Sequence, residues 1–183
     1  LLSKYDSGVP DEIDGFIEQW RDERPDLGAD LEAMALFGRL GRLAAVAGAA
    51  IEEVLLRHGL TTGEFDVLAA LRRAGPPFTL TPTVLARTLM LSPAAMTNRL
   101  DRLERAGLVT RSVDAGNRRS TLVALAAAGR TSVDAAVGEH LANEVRLLGG
   151  LTAAQRRTLD ELLRLLLATL SDPARQRCSG EIH

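Results

Sequence analysis

The stretch TPTVLARTLMLSPAAMTNRLDRLERAGLVTRSVDAGNRRSTLVAL, residues 81–125, decides the architecture. Thr81 followed by Pro82 is a helix start, a hydroxyl cap and then a residue whose missing N–H and fixed φ suit the first turn. Ser92-Pro93 repeats the signature and predicts a second helix to Ala106, with Gly107 as its stop. Two short strands are expected at 109–113 and 120–125, joined by Asp114-Ala115-Gly116-Asn117 and carrying Arg118 and Arg119 at the tip. Helix, tight turn, helix and hairpin together make a winged helix-turn-helix, which lays one helix in the major groove of DNA. Gene regulation is therefore the expectation, ahead of catalysis.

The flanking sequence reads as helix throughout. Residues 11–23 space Ile13, Phe16, Ile17 and Trp20 as one apolar face, and ERPDLGAD (23–30) is a linker broken by Pro25 and Gly28. A long helix is predicted over about 31–58, with Leu36, Leu40, Leu43, Ala47 and Val54 on one stripe. Thr61 with Glu64 forms a capping box for a helix to about Arg73. Two more helices close the chain, about 127–148 and 153–170, separated by Gly149-Gly150. The expected fold is mainly α with a small β-wing. Its parts are an N-terminal extension (1–30), a helical dimerisation region (31–60 and 127–171), the DNA-binding domain (61–126) and a polar tail (172–183). The terminal helices and the helix at 31–58 carry more apolar surface than one small core can bury, which points to a homodimer reading a two-fold operator.

The net charge of −2 disguises an uneven distribution. Between Arg72 and Arg119 nine arginines face three acids, so that window is +6 and the remainder −8. A basic patch on an acidic body is the footprint of a small phosphate-facing surface. Nothing approaches 18 consecutive apolar residues and no basic-then-apolar leader is present, so neither a membrane nor a secreted protein is expected. The lone Cys178 suits a reducing cytoplasm. His58, His140 and His183 show no metal-ligand spacing and there is no Gly-rich phosphate loop. No metal site, cofactor or catalytic residue is expected, and Cys178, in the polar tail RQRCSGEIH after Pro173, is not in the packed site of a redox-sensing cysteine.

On the helix 93–106, Met96, Leu100 and Leu103 define the buried side. At about 100° per residue the opposite side carries Ala94, Asn98 and Arg105, flanked by Thr97, Asp101 and Arg102. Small residues near the start let the helix sit deep in the groove, and Asn98 suits adenine. Arg102 or Arg105 can reach guanine or phosphate, and Ser92 at the cap can meet a phosphate. One of Arg118 and Arg119 is expected to enter the minor groove. Asp101 has no role that the sequence supplies.

These residues resemble the MarR family of transcriptional regulators. The resemblance rests on GEFDVLAALRRAG (63–75), RLDRLERAGLVTR (99–111) and Asn117-Arg118-Arg119, and it spans about residues 31–171. It implies an obligate dimer that binds a pseudo-palindromic operator and loses affinity when a small, often anionic or phenolic, ligand binds. Asn117 stands where the family usually has an acid, and Ala126 where it has a helix-capping Thr. The extra N-terminal helix makes the chain similar to the family's urate-responsive branch. That similarity implies a ligand site of Trp20, Asp66, Arg99 and Arg111. Independently, Arg99 flanks the buried side of its helix and Arg111 shares a strand face with Val109 and Val113. Two inward cations need an anion, from Asp66 or from a ligand such as urate, citrate or aconitate. If the arginines are structural, the regulator responds to another ligand or to none.

Overall fold

The computed structural model describes residues 10–117 and 120–171. Arg118, Arg119, Cys178, His183 and the 172–183 tail lie outside the described residues. The element order is α1 (Glu12–Glu23), a 3₁₀ turn (Pro25–Leu27), α2 (Asp30–Arg57), α3 (Thr62–Arg73), β1 (Thr79–Leu80), α4 (Pro82–Thr88), α5 (Pro93–Arg105), β2 (Val109–Val113), β3 (Thr121–Leu125), α6 (Ala127–Leu147) and α7 (Ala153–Leu170).

The caps are chemical and local. Thr61, Thr81, Ser92 and Thr152 each accept a backbone N–H from the first turn of α3, α4, α5 and α7. Gly107, at φ 70°, ends α5 and lets the Leu108 N–H return to the Leu103 carbonyl at 2.9 Å. Ala126 has no side chain to cap α6, and no cap hydrogen bond forms there. The hairpin β2–β3 is antiparallel, with Arg111 opposite Val123. The sequence signals end at Gly75-Pro76-Pro77 and miss β1, which pairs Thr79 with Ala124 and Leu80 with Val123 to complete a three-stranded sheet. Two residues are too few for a periodic signal.

One core joins Leu55 of α2, Leu68 and Leu71 of α3, Leu85 of α4, Met96, Leu100 and Leu103 of α5, Val109 and Val123 of the hairpin, and Val133 of α6. The core therefore crosses both expected domain limits, 61 and 126. Gly129 makes this possible at the wing's base, where any Cβ would overlap the Leu108 carbonyl. Phe78 lies beneath the guanidiniums of Arg72 and Arg130, and both arginines pair with Asp134, at 2.8 and 3.7 Å, tying α3 and β1 to α6.

α1 packs across α2 through Ile13 and Ile17, which sit with Leu31 in a second small core. Arg39 grips Asp11 at 2.7 Å and Asp14 at 2.5 Å, and Arg42 meets Glu12. Phe16 and Trp20, expected on the same buried face, are about half exposed instead. One helix resting on one other helix buries only a narrow stripe. α7 shows the same effect more strongly, with none of its residues buried.

By length and composition, α2 is long and apolar enough to cross a membrane, with a mean hydropathy of 1.4 over its best window. Uninterrupted apolar runs, the basis of the sequence expectation, miss this because α2 interleaves its apolar residues with glycines and arginines.

Candidate nucleic-acid interface and anion site

α5 divides as its periodicity predicts: Met96, Leu100 and Leu103 are buried, while Ala94, Thr97, Asn98, Arg102 and Arg105 face solvent. Ser92 is also exposed, and its Oγ accepts the Ala95 N–H at 3.2 Å, leaving its own O–H available. Thr97 turns its hydroxyl back onto the Pro93 carbonyl at 2.9 Å, so it offers a methyl and an acceptor rather than a donor. Arg105 donates its Nε to the Asp101 carbonyl at 3.1 Å. Arg102 leans onto α3, its Nε 3.3 Å from Glu64 Oε1, with the rest of the guanidinium exposed.

The basic window is less free than its charge suggests. Arg72 is bound to Asp134, Arg102 to Glu64, Arg99 to the Gly63 carbonyl at 3.2 Å and Arg111 to two acids. Arg73, Arg87 and Arg105 remain exposed. At the described part of the wing tip, Asp114 Oδ1 accepts the Gly116 N–H at 2.9 Å, a local turn that shapes the loop before the tip arginines.

Arg111 departs most from expectation. Its Nε donates to Glu104 Oε2 at 2.9 Å, its Nη2 to the same oxygen at 2.6 Å and to Asp101 Oδ1 at 2.5 Å, and its backbone N–H to Glu104 Oε1 at 3.2 Å. The anion it needed comes from α5, through Asp101 and Glu104, not from Asp66. These bonds hold the Glu104 carboxyl below the usual range, and they give Asp101 a role. Val113, expected to share a half-buried face with Arg111, is mostly exposed because the strand climbs out of the core.

Asp66 feels the charge of Arg99 without a direct bond to it: Arg99 donates to the Gly63 carbonyl instead. Burial pushes the Asp66 carboxyl up, and the positive charges of Arg99, Arg73 and His140 oppose that shift. Arg99 nests against α3 where Gly63 has no side chain; a Cβ there would overlap its guanidinium. His140 stacks on Phe65 with ring centroids 4.8 Å apart, and its Nδ1 is buried without a hydrogen-bond partner among the described residues. Trp20 stands apart on α1, lining a surface groove with Phe16, Gln19 and Glu23. Of the four expected ligand residues, the single chain therefore sets Asp66 within the electrostatic influence of Arg99, binds Arg111 to Asp101 and Glu104, and places Trp20 in a groove of α1. The sequence singles out none of Gly63, Glu64, Glu104 and Arg87 as a site residue: Gly63 and Glu104 appear only within the resemblance motifs, Glu64 also as a capping-box residue and Arg87 as one of the basic window.

A family model described as MarR family matches residues 58–120. The regulator PecS of Dickeya dadantii is 37% identical over 152 residues, covering 83% of this chain and 90% of PecS. This chain belongs to the MarR family. Its fold is close to that of a mutant of Escherichia coli MarR complexed with operator DNA, with 26% identity, a TM-score of 0.66, and 81% and 97% of the two chains covered. BpsR of Bordetella bronchiseptica, whose DNA binding is regulated by 6-hydroxynicotinic acid, has 27% identity, a TM-score of 0.64, and 70% and 90% coverage. As a member of this family the chain is a DNA-binding transcriptional regulator with a winged helix-turn-helix fold, and its relatives are regulators rather than enzymes.

Proposed function

We propose that the protein is a homodimeric, cytoplasmic repressor that binds a pseudo-palindromic operator and releases it when a small anion binds. The exposed apolar surface carries the dimer reading. Leu36, Phe37, Leu43 and Val46 on α2, Leu141 and Val145 on α6, and Leu162, Leu165 and Leu167 on α7 are all more than a third exposed. Patches of this extent are covered in a stable soluble protein, and a second copy supplies matching leucines. The same covering accounts for the exposed apolar α2 without a bilayer. In the dimer, α5 enters the major groove with Ala94, Thr97 and Asn98 toward base edges. Ser92, Arg102 and Arg105 serve the backbone or guanine, and one of Arg118 and Arg119 reaches the minor groove.

The anion reading rests on Asp66, a half-buried carboxyl raised by burial and within the electrostatic influence of Arg99 and Arg73. An acid that outcompetes it would reorganise Arg99 and with it the helix that reads DNA. Urate and related acids fit guanidinium forks, and the response of BpsR to 6-hydroxynicotinic acid is in keeping with a planar acid. Trp20 and Arg111 join such a site only if the dimer brings α1 over it and the acid displaces Asp101 and Glu104. The self-sufficient Arg111 triad favours a second reading in which the arginines are purely structural.

Gel shifts on the gene's own upstream promoter test both levels, with urate, citrate and aconitate added in turn. Operator binding at low salt that one acid abolishes is the expected result. No retarded complex at any concentration sinks the operator assignment, and indifference to every acid sinks the sensor assignment.

A further inference from the structure

The first turn of α3 is held from two sides. From α2, the Glu52 carboxylate accepts the Thr62 backbone N–H at 2.8 Å and the Thr62 hydroxyl as well. Thr62 is the first residue of the helix, so its N–H has no partner within α3 and a carboxylate there also meets the positive end of the helix dipole. From α5, Arg99 donates to the Gly63 carbonyl at 3.2 Å, and Arg102 lies 3.3 Å from Glu64. The other Glu64 oxygen accepts the Thr61 N–H at 3.0 Å and closes the capping box.

Four consecutive residues, Thr61 to Glu64, thus carry every one of these bonds. None of the four can shift alone. A Cβ at Gly63 would overlap the Arg99 guanidinium, and Glu64 is committed at both carboxylate oxygens. The bonds from Thr62 hold the Glu52 carboxyl below its usual range, so it is a full negative charge at neutral pH.

We propose that Glu52 is a positioning residue for DNA recognition, fixing the angle of α5 to α2 through the first turn of α3. The inference rests on the dimer reading, in which α2 lies at the interface between copies. Under that reading the two Glu52 contacts set the separation and rotation of the two recognition helices. A rigid setting makes the regulator discriminate between operators by half-site spacing. One inserted base pair moves a half-site by about 3.4 Å and rotates it by about 35°, which a rigid dimer cannot follow.

The test compares the wild-type chain with Glu52→Ala and Glu52→Gln on the operator and on versions with one base pair added or removed at its centre. Sedimentation gives the mass of each protein in parallel. Wild type is expected to lose about tenfold or more in affinity on the altered spacings, and dimeric Glu52→Ala about threefold or less. Glu52→Gln, which keeps an acceptor for Thr62, should fall between them. Were Glu52→Ala to unfold, Thr62→Val retains the backbone bond, removes the hydroxyl and carries the comparison. A loss of affinity equal on all three spacings would mark Glu52 as merely structural and overturn the proposal. Dimeric Glu52→Ala with undiminished spacing discrimination would overturn it too. Wild-type protein that sediments as a monomer would overturn the dimer reading and this inference with it.

Discussion

α5 and α7 have the same sequence grammar and opposite fates. Each opens on a hydroxyl cap and spaces its leucines along one face, yet α5 buries Met96, Leu100 and Leu103 while no residue of α7 is buried. Leu162, Leu165, Leu167 and Leu170 are more than half exposed. Periodicity states that a face will be covered but not by which chain. The winged-helix part of this protein finishes its core within one polypeptide. The helical half leaves these leucines exposed in the single chain, the surface that the proposed dimer would cover.

That contrast is broken most directly at α7. The double substitution Leu162→Glu and Leu167→Glu should leave the far-ultraviolet circular dichroism unchanged while raising the dimer dissociation constant by about a thousandfold or more, since each buried unpaired carboxylate costs several kcal/mol. Sedimentation velocity measures it. A dimer that survives both substitutions would remove α7 from the interface.

The next effect in size belongs to α5. Leu100 is wholly buried, so Leu100→Ala should destabilise the fold by about 2–5 kcal/mol in chemical denaturation. Leu165→Ala, by contrast, should cost nothing measurable when the protein is dilute enough to be monomeric. Equal losses at the two positions would erase the distinction between an internal and a shared core.

A smaller effect is expected where α5 meets the wing. Arg111→Gln removes the cation that Asp101 and Glu104 share, and those two acids then repel one another. Operator affinity should fall by about tenfold as the recognition helix and hairpin uncouple. Adding Glu104→Gln should recover part of it. No recovery in the double variant would mean that Arg111 acts through ligand or DNA instead.

Arg111 also marks where the sequence ceases to be legible. The limits and faces of α5 are legible because caps, a terminal glycine and a helical period are local signals. The partners of Arg111 are not, because they depend on how the strand lies over the last turn of α5, and spacing alone does not encode that angle. The inward setting of Arg99 is legible from its flank position, while Gly63, which makes room for it, looks like any helix-start glycine. Phe16 and Trp20 follow the logic of α7. Their spacing specifies a face, and α2 alone is too narrow to cover it.

The smallest expected effect is a pH slope at Asp66. Burial raises its carboxyl above the ordinary value of 3.8 against the pull of Arg99, then Arg73, then His140. From pH 3.8 upward to that raised value the folded chain holds a proton that the unfolded chain has released. Stability from this group is therefore complete below the window and declines as pH rises through it. Carboxyls held low, such as Asp11, Asp14 and Glu104, contribute in the opposite sense and at lower pH. The difference in melting temperature, wild type minus Asp66→Asn, isolates the Asp66 contribution because the others cancel. It should fall as pH rises from 3.8 through the raised value of the folded chain. A difference that stays flat would mean that the three cations offset the burial of Asp66 in full. The carboxylate would then be an ordinary structural counter-ion, with no stored cost for an incoming anion to relieve.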